Sequence, residues 1–110
     1  MKKILISGYL GFDNFGDEAL LFILIKNLLE SGYRREYISV ISNNPQGTAN
    51  SFNVNSPNRW NLIEIINAVT NHDGIIFIGG VFQDKTSFRS LFYYFFQLLL
   101  GRILQKEIIF

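Results

Sequence analysis

Two carboxylates, Asp17 and Glu18, stand directly behind a loop punctuated by Gly8, Gly11 and Gly16, and a third, Asp84, follows Gln83 in a loop that opens on Gly79-Gly80. Carboxylates so placed can act as general acid or base or orient substrate hydroxyls, and glycine lets the main chain turn sharply against a ligand. Asn14, Thr86 and Ser87 add hydrogen-bonding side chains to the same two loops, while Arg59, Lys85 and Arg89 are the nearby cations. Each has a purely structural alternative. Asp17 and Glu18 suit the first turn of a helix, where they complement its dipole. Arg59 reads more readily as a solvated arginine than as an anion holder, and Gln83-Asp84 divides evenly between binding and turn stabilisation.

Several familiar chemistries are excluded by what stands beside the glycines. Gly11 and Gly16 have P-loop spacing, but Asp17-Glu18 occupies the place of the Lys and Ser or Thr that would meet the phosphates. A dinucleotide fingerprint is absent, because the glycines fall at 8, 11 and 16. The chain has no cysteine and a single histidine, His72, whose place between a helix end and a strand suits the capping of carbonyls. Neither a metal site nor a resident cofactor is expected.

These loops need a scaffold, and the apolar pattern supplies one. Residues 3–7 read as a buried strand, 8–16 as a loop, and 17–31 as a helix with Asn14 or Gly16 as its N-cap and Gly32 just past its end. From Ala19 to Ile25 that helix is apolar on every side, so more than one neighbour should cover it. A second strand at 37–42 runs into 43–58, whose six asparagines and two prolines read as an irregular surface loop. Arg59–Asn71 reads as a helix led in by Pro57 or Asn58, with Leu62, Ile63, Ile65, Ile66 and Val69 as its buried stripe. A strand at 75–78, the loop at 79–87, a helix over roughly 87–104 and a strand from Lys106 complete the order. Strands alternating with helices predict an α/β fold: a Rossmann-like parallel sheet with flanking helices and right-handed crossovers. The loops after the first and third strands then face one crevice at the sheet's carboxyl edge.

The 110 residues suit one compact unit, and the final Ile108-Ile109-Phe110 reads as a strand cut at its opening. A formal charge of +1 argues against nucleic acid as a partner. The apolar run Leu91–Leu100 is shorter than the roughly 20 residues that span a bilayer. A cytoplasmic location is expected, with peripheral association at the inner face of the membrane as a second expectation.

The segment Gly8-Tyr9-Leu10-Gly11-Phe12-Asp13-Asn14-Phe15-Gly16-Asp17-Glu18-Ala19 resembles the amino-terminal signature of the polysaccharide pyruvyl transferases. Gly79-Gly80-Val81-Phe82-Gln83-Asp84-Lys85-Thr86-Ser87, with Arg89–Tyr94 behind it, is similar to that family's second glycine-led segment and the helix after it. Arg59 falls where the family tends to have an arginine before its second helix; Leu10 and Ile78 stand where it often has Tyr and Gly. The resemblance covers essentially the whole chain. It implies transfer of a pyruvyl group from phosphoenolpyruvate, the donor substrate, to two hydroxyls of a cell-wall polysaccharide or lipid-linked precursor as a cyclic ketal. It implies also that residues 1–110 are the N-terminal Rossmann-like half of a two-domain GT-B-like fold, with a C-terminal domain as partner. On this reading Asp17, Glu18 and Asp84 are catalytic, and Gly11, Asn14, Gly16, Arg59, Gly79, Gly80, Gln83, Thr86 and Ser87 bind substrate. The alternatives are a GT-B glycosyltransferase domain using a nucleotide-sugar, and an inactive half-domain.

Overall fold

The computed structural model describes residues 2–8, 10, 15–78 and 107–109. Its centre is a four-stranded sheet of β1 (Ile4–Ser7), β2 (Ile38–Val40), β3 (Gly74–Phe77) and β4 (Glu107–Ile109), in the order β2-β1-β3-β4. Every pairing is parallel, with Ile4 opposite both Ile38 and Gly74, and Gly74 opposite Glu107. The chain is therefore α/β, as its alternating pattern requires. Helix α1 (Phe15–Glu30) links β1 to β2; α2 (Pro45–Phe52) and α3 (Leu62–Asn71) lie between β2 and β3.

The two faces of β1 explain why it is apolar throughout. Ile4 and Ile6 join Leu21, Ile25, Ile38 and Val40 on the α1 side, while Leu5 joins Ile65, Ala68, Val69, Ile75 and Phe77 on the α3 side. Successive strand residues point to opposite faces, so a strand covered on both sides needs a continuous run. The helix that follows is divided. Leu21 and Ile25 are buried, whereas Leu20, Phe22 and Ile23 are each about half exposed on its other side. Gly32 ends the turn with φ +98, as its expected role beyond the helix demands. The helix starts earlier than expected, at Phe15, which puts Gly16 inside it and not at its cap.

Three further readings are corrected. Residues 43–58 are not an irregular loop, because 45–52 form α2. Asn44 accepts a hydrogen bond from the Gly47 amide at 3.2 Å, Pro45 opens the first turn, and Asn53 closes it in the left-handed region at φ 54. The chain then runs back beside β2, with Asn55 bridging Ser39 and Asn58 bridging Ser42 in parallel sense. Helix α3 begins at Leu62, not Arg59, since Asn61 caps it through the Glu64 amide at 3.2 Å. Starting there, it buries Ile65, Ala68 and Val69 and leaves Leu62, Ile63 and Ile66 exposed, so only two of the five expected stripe residues are buried. The second and third strands are also shifted or shortened relative to 37–42 and 75–78, a three-residue 3₁₀ turn at Arg35–Tyr37 replacing the start of the former. The expected helix at 87–104 lies outside the described residues.

His72 closes α3 as expected. Its Nδ1 is 2.6 Å from the Ala68 carbonyl, which can only accept, so Nδ1–H donates; in the neutral ring Nε2 then accepts from the Ser39 hydroxyl at 2.8 Å. One side chain thus ties the helix end to β2. His72→Ala is expected to cost about 1–2 kcal/mol in urea denaturation, the sum of two modest hydrogen bonds. Asn61→Ala should cost about 1 kcal/mol as a lost N-cap.

Candidate active site at the carboxyl edge of the sheet

The strand order places β1 between β2 and β3, so the chain leaves β1 toward β2 and leaves β3 in the direction of β4. Between those two exits lies the topological switch point, the place where open α/β sheets hold ligands. Gly8 and Ile78 stand there. The Ile78 amide donates to the Ser7 carbonyl at 3.0 Å, continuing the ladder past β3. A Cβ on Gly8 would sit 2.9 Å from the Ile78 carbonyl oxygen and 3.1 Å from Ile78 Cγ1. Backbone meets backbone here, and only glycine allows it.

The first loop is anchored on its other side by groups the sequence leaves far away. The Leu10 side chain is fully buried in the α1-side core, and its carbonyl accepts from the Asn43 amide at 3.0 Å. Arg59 is 3% exposed and donates through an Nη to the Gly8 carbonyl at 3.0 Å. Its own amide bonds the Ser42 carbonyl at 2.9 Å, so the segment returning beside β2 delivers the guanidinium to the edge. The reading of Arg59 as solvated is therefore wrong: tertiary packing buries it where it holds the first loop.

Trp60 is next in line and two-thirds exposed. Its indole N–H donates to Asn43 Oδ1 at 2.5 Å, its amide to Asn58 Oδ1 at 2.9 Å, and the Arg59 guanidinium lies 5.5 Å from the ring centroid. Below this layer the Ser42 and Thr48 hydroxyls share a buried hydrogen bond of 2.7 Å, and Ser42 Oγ accepts the Asn44 amide. Sequence reasoning missed the Trp60–Asn43 and Ser42–Thr48 pairs; clustered Asn, Ser and Thr after a buried strand was their only signal.

Of the expected site residues, Gly16, Asp17 and Glu18 lie in the first turn of α1, with Gly16 exposed and the carboxylates partly buried. Burial holds the Asp17 carboxyl above its ordinary range. Because its folded value is raised, the native state binds the proton more tightly than the unfolded chain. That carboxyl's contribution therefore falls as pH rises from the unfolded value through the folded one. Asp17→Asn should remove this part of the slope, seen as flatter dependence of the melting temperature on pH between acid and neutral solution. Gly11, Asn14, Gly79, Gly80, Gln83, Asp84, Thr86 and Ser87 lie outside the described residues.

Among the described residues, the grooves lie elsewhere. One of about 310 Å³ runs between α1 and α2 past Phe22, Ile25 and Phe52, and another of about 280 Å³ includes Pro57 and His72 at the amino end of β3. No group of three or more His, Asp or Glu that could hold a metal ion occurs among the described residues. Nor is any helix among them long and apolar enough to cross a membrane. Family models, curated proteins and solved structures give no match to this chain.

Proposed function

We propose that the chain is the donor- or acceptor-binding N-terminal half of a pyruvyl transferase with GT-B-like architecture. The observation that carries this reading is the junction of Gly8 with Ile78. The first glycine-led segment leaves β1 at Gly8, and Gly8 packs against Ile78, the residue that precedes the second segment and follows the neighbouring parallel strand β3.

In the proposed reaction two hydroxyl oxygens of one sugar bond to C2 of phosphoenolpyruvate, its methylene carbon gains a proton to become methyl, and the ester C–O bond breaks to release inorganic phosphate. The two hydroxyl protons lost balance the proton on carbon and the one carried off by phosphate. A carboxylate is needed at the attacking hydroxyl and a proton donor at the enol carbon. Asp17, Glu18 and Asp84 are assigned those roles. Cationic or N–H donors must meet the donor's phosphate and carboxylate. Gly11, Asn14, Gly16, Gly79, Gly80, Gln83, Thr86 and Ser87 are assigned to substrate, and Arg59 to holding the Gly8 carbonyl from beneath.

The test is acceptor-dependent release of inorganic phosphate from phosphoenolpyruvate by the full product of the gene, with neutral cell-wall disaccharides as acceptors. Release together with a mass gain of one pyruvyl ketal is the expected result. Binding of a nucleotide-sugar without binding of phosphoenolpyruvate would assign the fold to glycosyl transfer instead, and binding of neither would mark an inactive half-domain. In an active protein, at least one of Asp17→Asn and Asp84→Asn should lower turnover; unchanged turnover in both withdraws their catalytic roles.

A further inference from the structure

We infer that Trp60 is a stacking platform for a neutral sugar ring, with Asn43 as the residue that sets its angle. An exposed tryptophan ordinarily gives up its side-chain freedom only when packing rewards it. Here the ring is two-thirds exposed and yet held at three points: the indole N–H on Asn43 Oδ1, the backbone amide on Asn58 Oδ1, and the Arg59 guanidinium near the ring. A rigid aromatic plate at the carboxyl edge offers binding area whose ordering cost is already met.

The surrounding groups select the ligand. A pyranose presents a face of C–H bonds, which packs on an aromatic ring, and a rim of hydroxyl oxygens, which accept hydrogen bonds. Asn44, Asn58 and Asn61 each give their amide oxygen to the chain's own N–H groups, of Gly47, Trp60 and Glu64. Each therefore keeps its amide NH₂ as the end that can donate to an acceptor oxygen. Sites that stack nucleobases combine the plate with a cationic track for phosphate. The cation beside Trp60, Arg59, is 3% exposed and donates to the Gly8 carbonyl, so it is not offered to a ligand as a surface track. The polar residues that follow the ring are the neutral Asn61 and then Glu64 in the first turn of α3, whose charge repels phosphate. The arrangement fits an uncharged saccharide. Resting on the transferase reading, this names where the acceptor sugar is held.

Trp60 is the sole tryptophan of these 110 residues, and the difference in emission between the native protein and Trp60→Phe reports on this ring alone. The full gene product is titrated with cellobiose and chitobiose, and in parallel with uridine monophosphate and inorganic phosphate. A saturable change in emission with a disaccharide is expected, with neither phosphate compound producing it. Asn43→Ala should weaken that binding by about three- to tenfold, because the ring loses its fixed angle before the ligand arrives. Trp60→Ala, read by calorimetry after its melting curve shows it folded, should abolish binding. Emission unmoved by either disaccharide, retained saccharide affinity in Trp60→Ala, or a response to the nucleotide alone would each overturn the inference. Its failure separates from that of the transferase reading. Phosphate release with an unaltered acceptor KM in Trp60→Ala overturns the platform only, while saccharide-dependent emission without phosphate release supports the platform and removes pyruvyl transfer.

Discussion

Gly8→Ala is expected to destabilise the protein by about 1–3 kcal/mol, the cost of forcing an extra methyl into a packed site. At roughly 4–8 °C per kcal/mol for a chain near this size, the shift is easily read in a thermal melt. The cause is position, not backbone conformation. The new Cβ meets the Ile78 carbonyl at 2.9 Å, and backbone on a paired strand cannot swing aside as a side chain can. Gly32 is the informative contrast. Its φ is +98 and nothing lies within 4 Å of an added Cβ, so Gly32→Ala should cost about 1 kcal/mol through strain alone. Asn, which tolerates positive φ, should recover part of the loss at 32 and none at 8. Equal behaviour of Asn at the two positions would show that the β1–β3 junction is looser than the structure has it. In an active protein, Gly8→Ala should also depress phosphate release at temperatures where the fold persists, since it parts Gly8 from Ile78 at the switch point.

Arg59→Ala is the second large expectation, at about 3–5 kcal/mol, from a lost buried hydrogen bond and the cavity left by the side chain. Among the described residues the Gly8 carbonyl would keep only the Leu10 amide, at 3.0 Å, and the first loop would lose its tie to the segment beside β2. Arg59→Met separates the two contributions. It refills most of the volume without the guanidinium, so it should recover the cavity share and leave a deficit of about 1–3 kcal/mol. Arg59→Lys keeps the charge but not the planar fork, and should fall between Met and the native protein. Melting curves rank the variants, and Trp60 emission gives an independent readout because the guanidinium lies 5.5 Å from its ring. A Met variant as stable as the native protein would mean that Arg59 acts through its stem alone.

What the amino-acid sequence determined by itself is the parallel α/β sheet and the helices α1 and α3 that connect its first three strands. Ile4-Leu5-Ile6 and Ile75-Ile76-Phe77 are apolar without a break, and strands of that kind are buried on both faces, which in turn requires parallel pairing under helices. Local chemistry also placed the end of α1 before Gly32 and the carbonyl-capping role of His72, because both depend on neighbours within a few residues. Tertiary structure alone decided the rest. Segment 45–52 has weak intrinsic helix propensity, and it becomes α2 because Thr48 is buried on Ser42 while Val54 is drawn into the α1-side core. Leu62, Ile63, Ile65, Ile66 and Val69 span too wide an arc of a helix for one sheet to cover. The Asn61 cap and the position of β3 chose Ile65, Ala68 and Val69. Arg59 reads as a surface residue until a chain segment running beside β2 carries it under Gly8, a contact across 51 positions of sequence that no local pattern encodes.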